Sequence, residues 1–300
     1  MADTRGRWLI AVLLLQVVAA QTEPSPLIIG GSPAALGAFP AHVGIHIGQP
    51  QTLFCGGTIL NTNHILTAGS CVLDGQNMLR GAAQFAFRSG VVIIDANAPS
   101  VGIDRVFVHP LYNPFTFEND IAVLRVFGTI NFPQVATPNV APAELQDRIV
   151  PENSACQVVG WNWQPNVANQ ALQQLGVLVH PRVACNNLFN GMIQNSMLCV
   201  QPTVQTQALC LPNRGGGLYC NGRLTGIVSF GLGCGANTTE TATVVTQVRY
   251  YQQWILQQFV RNDNPQAGTT PMPGIGGGSA SLLVSAAAIL FATIMMLVMR

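Results

Sequence analysis

Apolar residues between positions 28 and 260 come in short runs rich in β-branched side chains, and Gly, Pro and Asn separate these runs. Four examples are the segments 43–47, 90–94, 121–124 and 226–229. Many short apolar runs with frequent turn residues are typical of an all-β sandwich or barrel. We therefore predict an all-β fold in this part of the chain, with a strand at each of the four segments.

One segment departs from this pattern and has the spacing of a helix. Within residues 250–260 the apolar side chains of Tyr251, Trp254, Ile255 and Phe259 recur every three or four positions. This spacing predicts a packed helix at the end of the β-rich region. After it, residues 262–281 are rich in Pro, Gly and Thr and lose all periodicity, which indicates an extended stalk.

The first twenty residues have the composition of a secretory signal peptide. Arg5 and Arg7 precede an apolar run over 8–20 that ends in small residues before Gln21. A basic start, a short apolar run and small residues are the three parts of such a signal. The alternative is a short buried helix at the edge of a domain.

A second apolar segment, at 282–299, is long enough to cross a bilayer. It contains no charged residue, and only Arg300 follows it. Small residues at 267–269, a polar spacer at 270–281 and an apolar tail are the three parts of a glycolipid (GPI) attachment signal. We favour a GPI anchor over a retained transmembrane helix. Either would hold the β-rich region at the extracellular face of the plasma membrane.

Composition narrows the possible partners. Charged residues make up 8% of the chain, the formal net charge is +1, and every basic residue is an arginine. No strongly basic surface for nucleic acid is visible. The eight cysteines occur without a Cys-x-x-Cys motif or a histidine cluster. We therefore predict no metal or cofactor site and an oxidised extracellular framework, for which 105 pairings are open from spacing alone.

The most specific motif is Cys210-Leu-Pro-Asn-Arg-Gly-Gly-Gly-Leu-Tyr-Cys220. It resembles the nucleophile loop of the chymotrypsin-like (peptidase S1) serine proteases, which reads Cys-x-Gly-Asp-Ser-Gly-Gly-Pro-Leu-x-Cys. The two superpose without a gap. The serine position of the family is occupied here by Arg214.

Further segments resemble the same family and occur in its order along the chain. They are 28–31, 54–60, 65–71, 108–113, 119–124, 156–161 and 229–231. The resemblance implies a trypsin-like domain over 28–261, built of two six-stranded antiparallel β-barrels and a C-terminal helix. It also implies four disulfide bonds. These are Cys55–Cys71, Cys156–Cys220, Cys185–Cys199 and Cys210–Cys234.

The resemblance also shows which catalytic positions have changed. The histidine that acts as base corresponds to Ser70, the orienting carboxylate is kept as Asp120, and the nucleophile corresponds to Arg214. Acyl transfer in this fold needs the nucleophile and its base together. We therefore predict a degenerate triad and a chain that is not an enzyme.

Two further functions of the family are altered in the same loop. The glycine that donates its N–H to the oxyanion corresponds to Pro212, which has no N–H. The aspartate that pairs with the new amino terminus after activation corresponds to Asn213, which is neutral. We therefore expect neither a complete oxyanion hole nor the activation switch.

The positions that form the substrate pocket in the family are Ala208, Ser229, Phe230, Gly231 and Thr243. The floor carries no carboxylate, and Phe230 and Thr243 stand on its walls. We expect a shallow or blocked apolar pocket. Separately, the triplet that begins at Asn237 is a glycosylation sequon.

These observations favour a non-catalytic protease homologue at the cell surface that binds a protein or peptide, as a cofactor or regulator of proteolysis or immunity. One alternative is an active endopeptidase of unusual mechanism. Another is a defence protein that binds glycans or microbes, like some family members that have lost the triad. Those binders are strongly cationic, whereas residues 21–268 hold ten arginines against eleven acidic residues.

We also expect a contact inside the altered site. Replacing the histidine by Ser70 leaves space beside Asp120, and a buried carboxylate requires donors or a cation. Arg214 is long enough to cross that space, so we predict that its guanidinium reaches toward Asp120, directly or through water. The alternative is that Arg214 points to solvent while Ser70 and backbone donors satisfy Asp120.

Overall fold

The computed structural model describes residues 28–49, 51–94, 99–135, 138–161, 171–204, 207–209, 213–232 and 242–261. The predicted signal peptide, the stalk at 262–281 and the tail at 282–299 lie outside the described residues, as do Pro212 and Asn237. No helix within the described ranges is both long and apolar enough to cross a membrane.

Strands dominate the described residues, and the two α-helices are short. The strands are β1 Ile28–Ile29, β2 Ser32–Pro33, β3 His42–Ile47, β4 Thr52–Ile59, β5 His64–Thr67, β6 Phe85–Ser89, β7 Val101–Val108, β8 Ala122–Val126, β9 Ala155–Trp161, β10 Leu172–Val179, β11 Met197–Pro202, β12 Ala208–Leu209, β13 Gly217–Cys220, β14 Arg223–Gly231 and β15 Thr243–Gln247. The helices are α1 Arg182–Leu188 and α2 Gln252–Phe259.

The first six-stranded barrel, called the N-terminal barrel, closes in the order β3-β4-β5-β8-β7-β6 with antiparallel pairing. Its interior is filled by fully buried side chains that include Ile45, Ile65, Phe87 and Leu124. A Cβ atom on Gly57 would lie within 3.0 Å of three of the surrounding aliphatic side chains. Glycine is therefore the residue that fits this strand against the core.

The second barrel, called the C-terminal barrel, consists of β9, β10, β11, β15, β14 and β13, and the β10–β11 and β9–β13 pairs complete the ring. Strand β2 extends the sheet beyond β10. Its core includes Val158, Leu175, Leu218 and Val245. The predicted all-β class with two six-stranded barrels is confirmed.

The predicted strand at 90–94 is wrong. Strand β6 ends at Ser89, and Gly90 turns the chain with a φ of 71°. The carbonyl of Val92 then accepts hydrogen bonds from the Leu172 N–H at 2.6 Å and from the Trp161 indole at 3.1 Å. This apolar run therefore links the two barrels, because its backbone partners belong to the C-terminal barrel.

The predicted C-terminal helix is confirmed as α2, which follows a 3₁₀ turn at Val248–Tyr251. Ile255 is fully buried, and Phe259 lies against the His64 ring with 4.8 Å between ring centroids. The helix continues from the last strand of the C-terminal barrel but packs on the N-terminal barrel. It therefore joins the two halves.

Three of the four implied disulfide bonds lie within the described residues and are formed: Cys55–Cys71, Cys156–Cys220 and Cys185–Cys199. The fourth, Cys210–Cys234, lies outside them. Such bonds persist in the oxidising conditions of the secretory pathway.

Candidate functional site

The altered catalytic positions meet where the two barrels face each other. The N-terminal barrel supplies Ser70, on a 3₁₀ turn at Gly69–Cys71, and Asp120, just before β8. The C-terminal barrel supplies Ser229 on β14 and the loop that carries Arg214. A Cβ atom on Gly69 would lie 3.3 Å from Asp120 Oδ1, so the turn passes directly over the carboxylate.

Asp120 is completely buried, and three donors satisfy its carboxylate. Oδ1 accepts from the Ser70 backbone N–H at 2.6 Å, and Oδ2 accepts from the Ser70 hydroxyl at 3.1 Å. Oδ2 also accepts from the Ser229 hydroxyl. Burial raises the pKa of Asp120, while the bonds from Ser229 and Ser70 and the charge of Arg214 oppose that rise.

The backbone beside this carboxylate is held from the opposite barrel. The Thr246 hydroxyl on β15 donates to the Asp120 carbonyl at 3.0 Å. Nearby, the Tyr251 hydroxyl donates to Asn119 Oδ1 at 3.0 Å. Asp120 is therefore a structural link between the barrels.

The direct bridge predicted between Arg214 and Asp120 is not formed. No ion pair or hydrogen bond joins the two side chains, both of which are described. The physical reason is that hydroxyl and N–H donors already occupy the carboxylate oxygens. The alternative prediction, that Ser70 and backbone donors satisfy Asp120, is correct in part. Ser70 donates through its hydroxyl and its backbone N–H, but the Ser229 hydroxyl donates as well.

The Arg214 side chain is half-buried instead of reaching out to solvent. Its guanidinium carbon lies 5.8 Å from the centroid of the Phe117 ring. Its Nε atom is buried and has no hydrogen-bond partner. A guanidinium over an aromatic face is attracted to the ring, which accounts for the position of this cation.

The backbone around Arg214 is tightly held. Its carbonyl accepts from the Gly56 N–H at 2.8 Å, and the Gly215 N–H donates to the Val228 carbonyl at 2.8 Å. Gly215 has a φ of 80°, and a Cβ there would lie 2.4 Å from the Gly56 carbonyl oxygen. The Arg214 backbone is therefore anchored against both barrels.

The pocket positions are mostly buried. Phe230 is 7% exposed and stacks on Phe117 at 5.1 Å, with Phe189 edge-on at 5.5 Å. Ala208 is buried on β12, and the Thr243 hydroxyl donates to the Leu209 carbonyl at 3.4 Å. A Cβ on Gly231 would lie 2.9 Å from the Ala242 carbonyl oxygen. These contacts favour the predicted blocked apolar pocket.

Two aromatic residues of the site were not predicted from sequence. Tyr112 is buried beside the turn that carries Ser70, and burial together with the charge of Asp120 raises the pKa of its hydroxyl. Phe117 has a positive φ of 55° and reaches both Arg214 and Phe230. The turn-rich sequence around 113–119 could have indicated a loop near the site. It does not indicate the direction of the Phe117 ring.

Two buried histidines of the N-terminal barrel lie apart from Ser70 and Asp120. His42 stacks on Trp161 at 4.8 Å, and burial lowers its pKa to about 3. Burial and Arg88 lower the pKa of His46 to about 4. Neither ring hydrogen-bonds Ser70 or Asp120. Across the described ranges, no group of three or more His, Cys, Asp or Glu side chains could hold a metal ion.

Comparison with known proteins gives a consistent result. The sequence profile of the Trypsin family matches residues 28–255. Human "Serine protease 57" is 30% identical over 287 residues, which is 90% of this chain and 94% of that protein. Pig "Trypsin" is 26% identical over 80% of this chain and 99% of its own length.

Rat "Transmembrane protease serine 9" is 29% identical over 258 residues, or 82% of this chain. The aligned part is only 23% of that longer protein. The similarity therefore concerns less than a quarter of the rat protein.

Proposed function

Because the chain belongs to the Trypsin family, we propose that it is a non-catalytic member of that family which binds a protein or peptide at the cell surface. The observation that carries the proposal is the pair of side chains at the positions of nucleophile and base. Arg214 has a guanidinium where the serine oxygen would attack, and Ser70 donates a hydroxyl to Asp120 where an imidazole would stand.

These two replacements remove the chemistry of acyl transfer. A guanidinium has no attacking oxygen and stays protonated at physiological pH. A serine hydroxyl does not accept a proton at neutral pH, so Ser70 cannot act as the general base. Loss of either group costs about a million-fold in turnover in a comparable protease.

The oxyanion site supports the same conclusion. Proline at 212 removes one backbone donor of the family's oxyanion hole. Loss of a single such donor costs roughly 100- to 1,000-fold in turnover. The remaining catalytic power would therefore be small even with a replacement nucleophile.

A binding role is supported by what the chain keeps. Both barrels, their shared interface and three described disulfide bonds are intact. Surface loops on such a scaffold carry binding function independently of catalysis. We propose that the partner is a protein or peptide, and that binding regulates proteolysis or immunity.

Labelling with a fluorophosphonate probe tests the loss of catalysis. The full chain on living cells should remain unlabelled while active pig trypsin, added to the same sample, is labelled. Covalent labelling of this chain would overturn the proposal. Substitution of individual serines would then identify the nucleophile.

We further propose that a GPI anchor tethers the chain, on the basis of its uncharged segment at 282–299. Phosphatidylinositol-specific phospholipase C should release the protein from cells. Retention of the protein together with an antibody epitope at Arg300 would instead demonstrate a membrane-spanning helix.

A further inference from the structure

Arg214 differs from the other arginines that the structure describes. Arg125 pairs with Asp104, and Arg182 donates to the carbonyls of Ile193 and Met197. Arg249 donates to Gln247 and Tyr250. Among the described arginines that are buried or half-buried, the side chain of Arg214 is the one without a hydrogen bond or ion pair.

The surroundings of Arg214 hold the cation in place without a hydrogen bond or a direct ion pair to its side chain. The ring of Phe117 supports one side of the guanidinium, and Phe117 is itself stacked on the buried Phe230. The Asp120 carboxylate accepts its hydrogen bonds from Ser70 and Ser229 and none from Arg214. The two terminal nitrogens of the guanidinium make no hydrogen bond to a described residue, and unlike Nε they are not shut off from solvent.

A planar guanidinium with free N–H groups matches a carboxylate, which can accept two of them in parallel. Partial burial strengthens such a pair, because solvent screens it less than on an open surface. The site holds one positive charge, which balances one carboxylate better than a doubly charged phosphate.

We propose that Arg214 binds a carboxylate of a partner peptide at the position where an active relative holds its nucleophile. The inference rests on the proposed binding function and gives it a ligand chemistry. The carboxylate comes from an Asp or Glu side chain or from a peptide C-terminus. Both sources present the same group to the guanidinium.

Matched peptides test this site in the full chain, purified in detergent micelles. One pair is acetyl-Ala-Ala-Phe-Glu-Ala-Ala-amide and its Gln counterpart, which probe a side-chain carboxylate. The second pair is acetyl-Ala-Ala-Phe as free acid and as amide, which probes a C-terminal carboxylate. Fluorescence-labelled versions give the affinities. In the pair that matches the natural source, the acid should bind about tenfold more tightly, as expected for a charge-assisted hydrogen bond.

Two variants assign the effect to this residue. Arg214→Gln should remove the preference for acid over amide, and Arg214→Lys should retain only part of it, because lysine lacks the planar fork. Arg261→Gln is the matched control, since Arg261 also lies over an aromatic ring, that of Phe107 at 5.4 Å, but beside α2. It should keep the full preference.

A direct readout is the NMR signal of the terminal guanidinium N–H groups of Arg214 in arginine-labelled protein. Because Nε is buried whereas the terminal nitrogens are not, these terminal protons should shift downfield when the acid peptide binds but not with the amide. Equal binding of acid and amide up to about 1 mM, or a preference that survives Arg214→Gln, would overturn the proposal.

The outcome separates this inference from the proposed function. If the chain shows no preference for the acid peptide and is not labelled by the fluorophosphonate, only the proposed carboxylate site is contradicted. If the chain is labelled by the fluorophosphonate but still prefers the acid peptide, only the claim that the protein is non-catalytic is contradicted.

Discussion

The two barrels share a six-stranded closed topology, yet their interiors contain different polar groups. The N-terminal barrel buries His42, His46 and His64 on β3 and β5, and each has an Nε2 atom without a hydrogen-bond partner. The C-terminal barrel contains two of the described disulfide bonds, Cys156–Cys220 and Cys185–Cys199. One fold thus accommodates three buried imidazoles in one half, and two of the three described disulfide bonds in the other.

The difference has a consequence for stability. A buried imidazole without a partner is tolerated as the neutral form, whereas its charged form would lose hydration without compensation. A disulfide bond has no such dependence on protonation. We therefore expect the N-terminal barrel to respond to acid more strongly than the C-terminal barrel.

The largest predicted effect is loss of stability in mild acid. Burial lowers the pKa of His42 to about 3 in the folded state, against 6.5 when unfolded. The unfolded chain therefore binds more protons below pH 6.5, and folding stability is full above that pH and falls as the pH approaches 3. His42 alone should cost about 3 kcal/mol at pH 4.

Urea unfolding of the full chain between pH 7.5 and pH 4 measures this loss. Substitution His42→Gln should flatten the pH profile, whatever its effect at pH 7. Hydrogen exchange should show amides of the N-terminal barrel losing protection first. Equal loss of protection in the two barrels at low pH would contradict the predicted difference between them.

The next effect concerns the bond that couples the barrels at Asp120. Substitution Ser229→Ala removes a donor on the C-terminal barrel from a buried carboxylate on the N-terminal barrel. The free energy of unfolding should fall by about 1.5–3 kcal/mol, as for hydrogen bonds to charged groups. Denaturant midpoints give the value.

A matched control for this bond is Thr225→Ala. Thr225 is also a buried hydroxyl on β14, but it donates to the neutral carbonyl of Arg223. Its loss should cost less. If Ser229→Ala and Thr225→Ala lower the free energy of unfolding by the same amount, then the hydrogen bond from Ser229 to Asp120 contributes no more than a bond to a neutral carbonyl.

A smaller effect should follow from overpacking at the base of the Arg214 loop. A Cβ atom on Gly160 in β9 would lie 2.1 Å from Oδ1 of the buried Asn213. Gly160→Ala should therefore destabilise the protein by about 1–3 kcal/mol. The control Gly176→Ala, in the adjacent strand β10, meets its nearest atom at 3.7 Å and should change thermal stability little.

The smallest effect is expected at the surface. Arg223 and Glu144 form an ion pair at 2.9 Å, and both side chains are largely exposed. Glu144→Gln should alter stability by less than about 1 kcal/mol, because solvent and salt screen such pairs. Thermal unfolding of Glu144→Gln and of the unchanged protein at high salt measures this change. A loss greater than about 1 kcal/mol would show that the ion pair contributes more than its exposure suggests.

Much of the fold followed from local sequence patterns. Short β-branched runs separated by turn residues predicted the strands, and the spacing of Trp254, Ile255 and Phe259 predicted α2. These patterns are readable because side-chain periodicity is set over a few residues. The segment 90–94 shows the limit, since its apolar composition did not reveal that Gly90 ends the strand and sends Val92 to the other barrel.

Within the site, the sequence determined which chemical groups are present at 70, 120 and 214, but the tertiary structure decided how they pair. Asp120 takes its third donor from Ser229, 109 residues away, and this leaves Arg214 over Phe117. A carboxylate is satisfied by the donors that reach it at hydrogen-bonding distance. Those distances arise only when the two barrels pack together, and for that reason the pairing could not be read from the order of residues.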